Sequence, residues 1–256
     1  MNNIIELSKA ESVRMYEEWF DIAPLEHFWI QWRFKALLQN EIVKTLAGKR
    51  FLEIGCGHGL VMNQLETLPD MIVDGCDLNP NALQLITKGK GDIYLLNIYD
   101  TPEQLLKKYA GIVLMDVLEH IPNDSDFLHT SCEYLKNDGL IIINVPALNI
   151  LYSKYDKKMG HLRRYNKKML KKLLLDNNIE LVSLHYWGFS LIPIIFLRKL
   201  VLIFTKDKNI VDTGFKLPGK VTNTFFKLLM KLELLLCKSP FTGGSLIAIG
   251  KLTIKK

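Results

Sequence analysis

The run Phe51-Leu-Glu-Ile-Gly-Cys-Gly-His-Gly-Leu60 decides how the rest of this chain is read. Phe51 to Ile54 reads as a buried strand, the glycines at 55, 57 and 59 as a tight turn, and Leu60 as the start of a helix. Such glycines adopt backbone conformations closed to other residues and let a ligand approach the main chain closely. Glu53 stands two positions before the first glycine, at the carboxyl end of the strand. About 20 residues further on, a second strand over 71–76 ends in Asp77, a position suited to accept hydrogen bonds from a ribose diol. Together, Glu53, the glycine turn and Asp77 point to a nucleoside-bearing cofactor.

The turn narrows the choice of nucleoside. A dinucleotide site uses G-x-G-x-x-G with the pyrophosphate on the helix N-terminus. Here the spacing is G-x-G-x-G, and the carboxylate of Glu53 would repel a pyrophosphate but suits a cationic ligand bearing an amino acid. The stretch Glu53 to Gly59 resembles the E/D-x-G-x-G-x-G motif of class I S-adenosylmethionine-dependent methyltransferases. That resemblance implies S-adenosylmethionine as cofactor, held by Glu53, Gly55, Cys56, Gly57, Gly59, Asp77 and Leu78, with Met115 and Asp116 at the end of a later strand.

Outward from this turn, strand-like runs at 50–54, 71–76, 92–97, 111–115 and 139–145 alternate with helical segments at 60–68, 80–88, 101–109 and 122–136. Asn79-Pro80 and Thr101-Pro102 supply cap-then-proline helix starts. Regular alternation with short connections predicts an α/β, doubly wound Rossmann-like sheet. Further strands are expected at 180–187 and 245–254. The family resemblance implies seven strands, six parallel and the last antiparallel. The chain then divides into an N-terminal helical cap (1–49, with helices over Met15 to Phe20 and Trp29 to Leu46), a cofactor-binding core (50–187), an apolar and basic lid or insertion (188–244) and the last strand (245–256).

Val113-Leu-Met-Asp-Val-Leu-Glu-His-Ile-Pro122 follows the fourth core strand and so lies over the ligand crevice. It resembles the D/E-V-x-E-H segment of small-molecule members, including the quinone-biosynthesis O-methyltransferases, some of which bind a divalent cation there. The resemblance makes Asp116, Glu119 and His120 candidate ligands for a cation such as magnesium, with Asp116 and His120 also candidate catalytic groups; the structural alternative is that Glu119 and His120 order the loop. Asn97 matches a position that meets the adenine amino group. Arg33, in His27-Phe-Trp-x-x-x-Arg, matches an arginine that meets the methionine carboxylate, a recognition that a planar guanidinium performs bidentately.

After the fifth core strand come Leu151-Tyr-Ser-Lys-Tyr-Asp156 and Gly160-His-Leu-Arg-Arg-Tyr165. They resemble the S-x-x-D…G-H-x-R-R-Y stretch of a bacterial branch associated with cell-surface glycans and lipids. His161 is the candidate general base, since an imidazole's ordinary pKa near ~6.5 suits proton removal at neutral pH. Arg163 or Arg164 would hold a phosphate or carboxylate, and Tyr152 or Tyr165 would wall the acceptor pocket. Asn166 is also a plausible cap for a helix over 167–176, and the two readings are compatible.

At 256 residues and 48% apolar composition, the chain can bury a full α/β core. Four cysteines, at 56, 76, 132 and 237, show no metal-ligand spacing and no disulfide frame. Met-Asn-Asn-Ile-Ile-Glu carries no basic-then-apolar leader, so the expected setting is cytoplasmic. The net charge of +6 is unevenly spread: residues 1–150 hold 12 Lys and Arg against 21 Asp and Glu, residues 151–256 hold 21 against 6. The basic half is expected to face something anionic, either a phosphorylated or lipid-linked acceptor or the inner surface of a membrane; no nucleic-acid signature accompanies the charge. Trp187 to Phe204 is strongly apolar but interrupted by Pro193, Arg198 and Lys199, which argues against a spanning helix. A helix over 224–238 places Lys227, Lys231 and Lys238 on one narrow arc of a wide apolar surface. The expected activity is O-methylation of a small-molecule or lipid-linked, glycan or quinone-like acceptor. Two rivals are a non-catalytic membrane-associated scaffold and a nicotinamide oxidoreductase; the intact glycine turn with Asp77 opposes the first, and the glycine spacing opposes the second.

Overall fold

The computed structural model describes residues 3–10, 25–87, 89–210 and 218–253, so the expected helix over Met15 to Phe20 lies outside the described residues. Eight strands form one sheet: β1 (Ile4–Glu6), β2 (Arg50–Ile54), β3 (Ile72–Asp77), β4 (Ile93–Leu95), β5 (Tyr109–Met115), β6 (Leu135–Pro146), β7 (Ile179–Trp187) and β8 (Ser245–Leu252). Their spatial order is β1-β4-β3-β2-β5-β6-β8-β7. β8 runs opposite to the other strands, between β6 and β7, with pairs such as Ile142–Ile249 and His185–Ile247. The doubly wound sheet with a reversed last strand is therefore as the sequence implied, with one strand more. That strand, β1, adds in parallel to β4 (Ile4 opposite Ile93). Three residues carry too little periodicity to announce a strand; edge pairing makes it one.

Helices cover both faces. α1 (Phe28–Leu38), α2 (Glu41–Lys44), α3 (Leu60–Leu65), α4 (Pro80–Gln84) and α5 (Asp124–Glu133) precede α6 (Lys154–Lys158), α7 (Lys167–Asp176), α8 (Ile192–Phe204) and α9 (Lys220–Leu236). Successive strand side chains point to opposite faces. On β5, Ile112 and Leu114 therefore join one core with Phe127 and Leu128 of α5 and Leu170 of α7. Val113 and Met115 join the other, with Trp32 of α1, Met62 of α3 and Met230 of α9.

Three expected elements differ from those observed. Residues 101–109 form no α-helix: a single 3₁₀ turn at Glu103–Leu105 follows Pro102, and β5 has begun by Tyr109, whose hydroxyl donates to the buried Asp74. Pro193 does not break the apolar run but sits in the first turn of α8, where a missing N–H costs nothing. The last helix starts four residues earlier than expected and ends at Leu236, leaving Lys238 beyond it. Among the described residues, no helix is long and apolar enough to cross a membrane.

The sheet order reverses between β2 and β5, and ligands in such sheets bind outside the carboxyl ends of the strands at that reversal. The glycine turn after β2 and the Asp116–His120 loop after β5 both lie there.

Candidate functional site

A cavity of about 390 Å³ opens at this point, lined by residues as far apart in sequence as His27 and Ser245. At its floor, β2 delivers Glu53 and the turn beyond. Gly55 has φ +75°, and a Cβ there would lie 2.8 Å from a methyl of Val117, so the turn admits only glycine at this point. Gly59, with φ +79°, is the N-cap of α3. Asp77 at the end of β3 ties the loop across: one carboxylate oxygen accepts from the backbone N–H of Gly57 and the other from that of Asn79, both at 2.9 Å. A carboxylate has about four acceptor positions, so both oxygens keep capacity for a ligand hydroxyl.

Glu53 is buried, and one of its oxygens has no hydrogen-bond partner. Burial pushes its carboxyl up to about 8, against the opposing pull of Arg33. A buried, under-satisfied carboxyl beside a cation-sized space fits the ammonium group of an amino-acid-bearing cofactor.

Arg33 reaches the same cavity from α1. Its guanidinium meets Asp116 at 2.6 Å and lies 5.1 Å from the centre of the Trp29 ring. Asp116 sits just past β5 with φ +61°, an unfavourable conformation for a residue with a side chain. Its N–H bonds Asn144 O, and Asn144 Nδ2 donates to its other carboxylate oxygen at 2.7 Å. Asn144 in turn accepts from Trp187 Nε1 at 2.8 Å, and Trp187 packs on Trp29. One polar chain thus links β7, β6, β5 and α1 and holds Asp116 at the cavity. None of Asn144, Trp187 or Trp29 stood out as a site residue in the sequence.

Across the cavity, His120 and His161 meet edge to face with ring centres 4.8 Å apart. His161 Nδ1 lies 3.2 Å from Asp156, which Arg164 also contacts at 2.7 Å. Burial raises the Asp156 carboxyl, but the His161 hydrogen bond and the Arg164 charge outweigh it and hold it well below the usual range. Ionised Asp156 has no hydrogen to give, so His161 Nδ1 is the donor, and in the neutral ring the lone pair falls on Nε2. Nε2 points toward Glu119, 4.0 Å away. Glu119 is fully buried with neither carboxyl oxygen hydrogen-bonded; burial, then the charge of Asp116, raises its pKa well above the carboxylate range. Burial and the neighbouring His161 lower His120 to about 3.

The metal-ligand set expected from sequence is rearranged. Glu119 and His120 come together with His161, their ligand atoms all within 4.8 Å of one another. Asp116 is not in that group because Arg33 and Asn144 occupy its carboxylate. Two imidazoles and one carboxylate make a donor set better suited to zinc or iron than to magnesium.

The remaining expected residues divide by position. Cys56, Gly57 and Met115 line the cavity, and Arg164 lines it while donating to Asp156 and to the carbonyl of Ala147. Gly59, Asp77, Leu78 and Asn97 lie outside its wall, Asp77 reaching it only through the Gly57 N–H; Asn97 Oδ1 accepts from Tyr99 N, and Asn97 N donates to Ser8 Oγ. Arg163 turns to Asp124 and the Pro122 carbonyl, so it does not face the acceptor space. Tyr165 is buried with its hydroxyl on Asp124 and Leu118 O, which corrects its expected place in the acceptor wall. Tyr152 donates to the carbonyl of His161 and steadies that residue's backbone. Tyr155, Ile194, Ile195 and Phe226 line the cavity, with Arg198 stacked 4.7 Å from the Tyr155 ring centre. Asp156 had a readable signal: Ser153-x-x-Asp156 is a capping box for α6, and both its hydrogen bonds form.

Residues 26–184 match the family profile described as Methyltransferase domain. Among curated proteins, the chain is 32% identical over 159 residues to a ubiquinone biosynthesis O-methyltransferase of Glaesserella parasuis, covering 56% of this chain and 65% of that protein. It is 26% identical to the ubiquinone biosynthesis O-methyltransferase of a Shewanella species, covering 58% and 65%. The matches thus span just under two thirds of those relatives' length. The structure of a SAM-dependent methyltransferase from Archaeoglobus fulgidus superposes with a TM-score of 0.56 at 18% identity, over 92% of this chain and 97% of that one.

Proposed function

The chain belongs to the methyltransferase-domain family of S-adenosylmethionine-dependent enzymes, and from that premise we propose that it methylates a hydroxyl of a quinone-like or lipid-linked acceptor. The observation that carries the choice of oxygen is the Asp156–His161 dyad opening on the same cavity as Glu53 and the glycine turn.

S-adenosylmethionine, when bound, supplies a sulfonium methyl group already activated for displacement. The protein's part is to position and to move one proton. Gly55 and Gly57 would admit the cofactor's amino-acid end against the backbone, Glu53 would meet its ammonium and Arg33 its carboxylate, and Asp77 would take the ribose. Asp156 would keep His161 in the tautomer whose Nε2 can take the proton of the acceptor's hydroxyl. The imidazolium that results is stabilised by ionised Asp156. Tyr155, Ile194, Ile195 and Phe226 give that end an apolar wall, which suits an aromatic ring or isoprenoid and excludes water.

One observation favours a second arrangement at the same place. Glu119, buried without partners beside His120 and His161, is where a divalent cation would be held, and such an ion would acidify a coordinated hydroxyl in place of the base. Release of S-adenosylhomocysteine, measured with an alkylated catechol and with a polyprenyl-phosphate sugar, tests both. His161→Asn and Asp156→Asn are expected to lower turnover by about 10²–10⁴-fold while leaving cofactor affinity intact. Activity unmoved by EDTA excludes the cation; full activity in His161→Asn without metal excludes the dyad as base.

A further inference from the structure

The two helices that follow β7 carry apolar side chains on the wrong side for a core. On α9, Val221, Phe225, Leu228, Leu232 and Leu235 follow one another at alternating steps of four and three, all exposed, Val221 at 85%. This is a continuous stripe along one helix face. The opposite face holds Asn223, Met230 and Glu233 against the protein. On α8, Leu197, Val201 and Phe204 repeat the same spacing, and Phe204 is 90% exposed. Glu233 joins the two helices by accepting the N–H groups of Gly188, Phe189 and Ser190 just ahead of α8. An exposed apolar surface of this extent on a folded chain marks something that covers it.

The charges identify the cover. α8 contributes Lys199, its Arg198 being turned into the cavity over Tyr155; α9 contributes Lys220, Lys227 and Lys231. The single acid in either helix, Glu233, is turned inward and buried. A second copy of the chain would bring these cations against one another. We propose that α8 and α9 form a docking face for an anionic lipid bilayer, with the apolar stripes entering the headgroup–acyl boundary and the lysines meeting lipid phosphates. An amphipathic helix with aromatic and aliphatic residues on one side and lysines beside them binds an interface in this way. The same helices border the cavity: Ile194 both lines it and is exposed, and Ile195 and Phe226 line its wall. An acceptor with an apolar chain would reach the site from the bilayer without crossing water. The docking face is argued from its own residues, so it stands whichever atom the enzyme methylates.

Sedimentation of the full chain with phosphatidylcholine vesicles, with and without phosphatidylglycerol, tests the proposal without cofactor or acceptor. Binding is expected only to the anionic vesicles and should be lost as salt screens the lysines. Lys227→Glu with Lys231→Glu should weaken it by roughly tenfold or more. Phe204→Ser with Leu235→Ser should weaken it at low salt too, with melting temperature and S-adenosylhomocysteine affinity kept. The proposal is overturned if anionic vesicles leave the protein in the supernatant, or if these variants bind as the parent does. It is equally overturned if light scattering shows a dimer that the Phe204 and Leu235 substitutions dissociate.

Discussion

Glu53 carries the conflict between stability and ligand binding in this molecule. Its carboxyl is buried and held near pKa 8, well above the ordinary 4.5. The folded, cofactor-free chain therefore keeps a proton that the unfolded chain releases. By linkage, Glu53 lowers stability progressively as pH rises from about 4.5 to about 8, a cost on the order of a few kcal/mol above that window. Glu53→Gln should raise the melting temperature of the cofactor-free protein more at pH 8.5 than at pH 5, and should weaken binding of S-adenosylmethionine. Melting curves at the two pH values with calorimetric binding test this; equal melting shifts at both would show that Glu53 is not protonated. Glu53 was legible in sequence because it and the glycines lie within seven residues. Asp156 was half legible, through its capping box. Glu119 was legible as a site residue, but its partner His161 lies 42 positions on, and no local pattern reveals that pairing.

At the scale of elements, local signals worked where a segment's own residues settle its state. Asn79-Pro80 starts α4 as read, with Asn79 Oδ1 accepting from Asn81 and Ala82. Thr101-Pro102 carries the same signal and yields only a turn, because the next residues are claimed by β5. The entry to α8 is the opposite case. Leu191 offers no capping side chain, and the preceding N–H groups are satisfied from α9 by Glu233, more than forty residues away. Nothing near residue 190 predicts that. Glu233→Ala leaves these donors without their acceptor and should cost roughly 1–3 kcal/mol in urea unfolding. Amide exchange at Gly188, Phe189 and Ser190 should accelerate beyond any change in the strands of the sheet. Unchanged exchange there would mean that Glu233 does not hold the two helices together.

The whole molecule is organised around a cavity that widely separated stretches of chain enclose. His27 and Arg33 come from between β1 and β2, Glu53 and Glu119 from beside the ends of β2 and β5, Tyr155 and His161 from between β6 and β7, and Ile194, Phe226 and Ser245 from the end of the chain. The sheet itself was readable because alternating apolar runs specify it strand by strand. The segment 188–244 was read as a lid, but which of its side chains line the cavity was not legible, because that is fixed only when α8 and α9 fold back over the carboxyl edge. Buried polar groups concentrate in the space between: an orphaned oxygen on Glu53, two on Glu119, and Asp116 in strained backbone. Such groups are tolerated in the empty protein at a cost that the right ligand removes. A ligand binding only the folded state at a hundredfold excess over its Kd adds about 2.7 kcal/mol, which for a chain of this size raises Tm by roughly 5–10 °C. S-adenosylhomocysteine should produce that shift in calorimetric scans, and NADH at the same concentration should produce none, since the G-x-G-x-G turn with Glu53 beside it repels a pyrophosphate. Stabilisation by NADH and not by S-adenosylhomocysteine would overturn the cofactor assignment and the role given to every residue on the cavity floor.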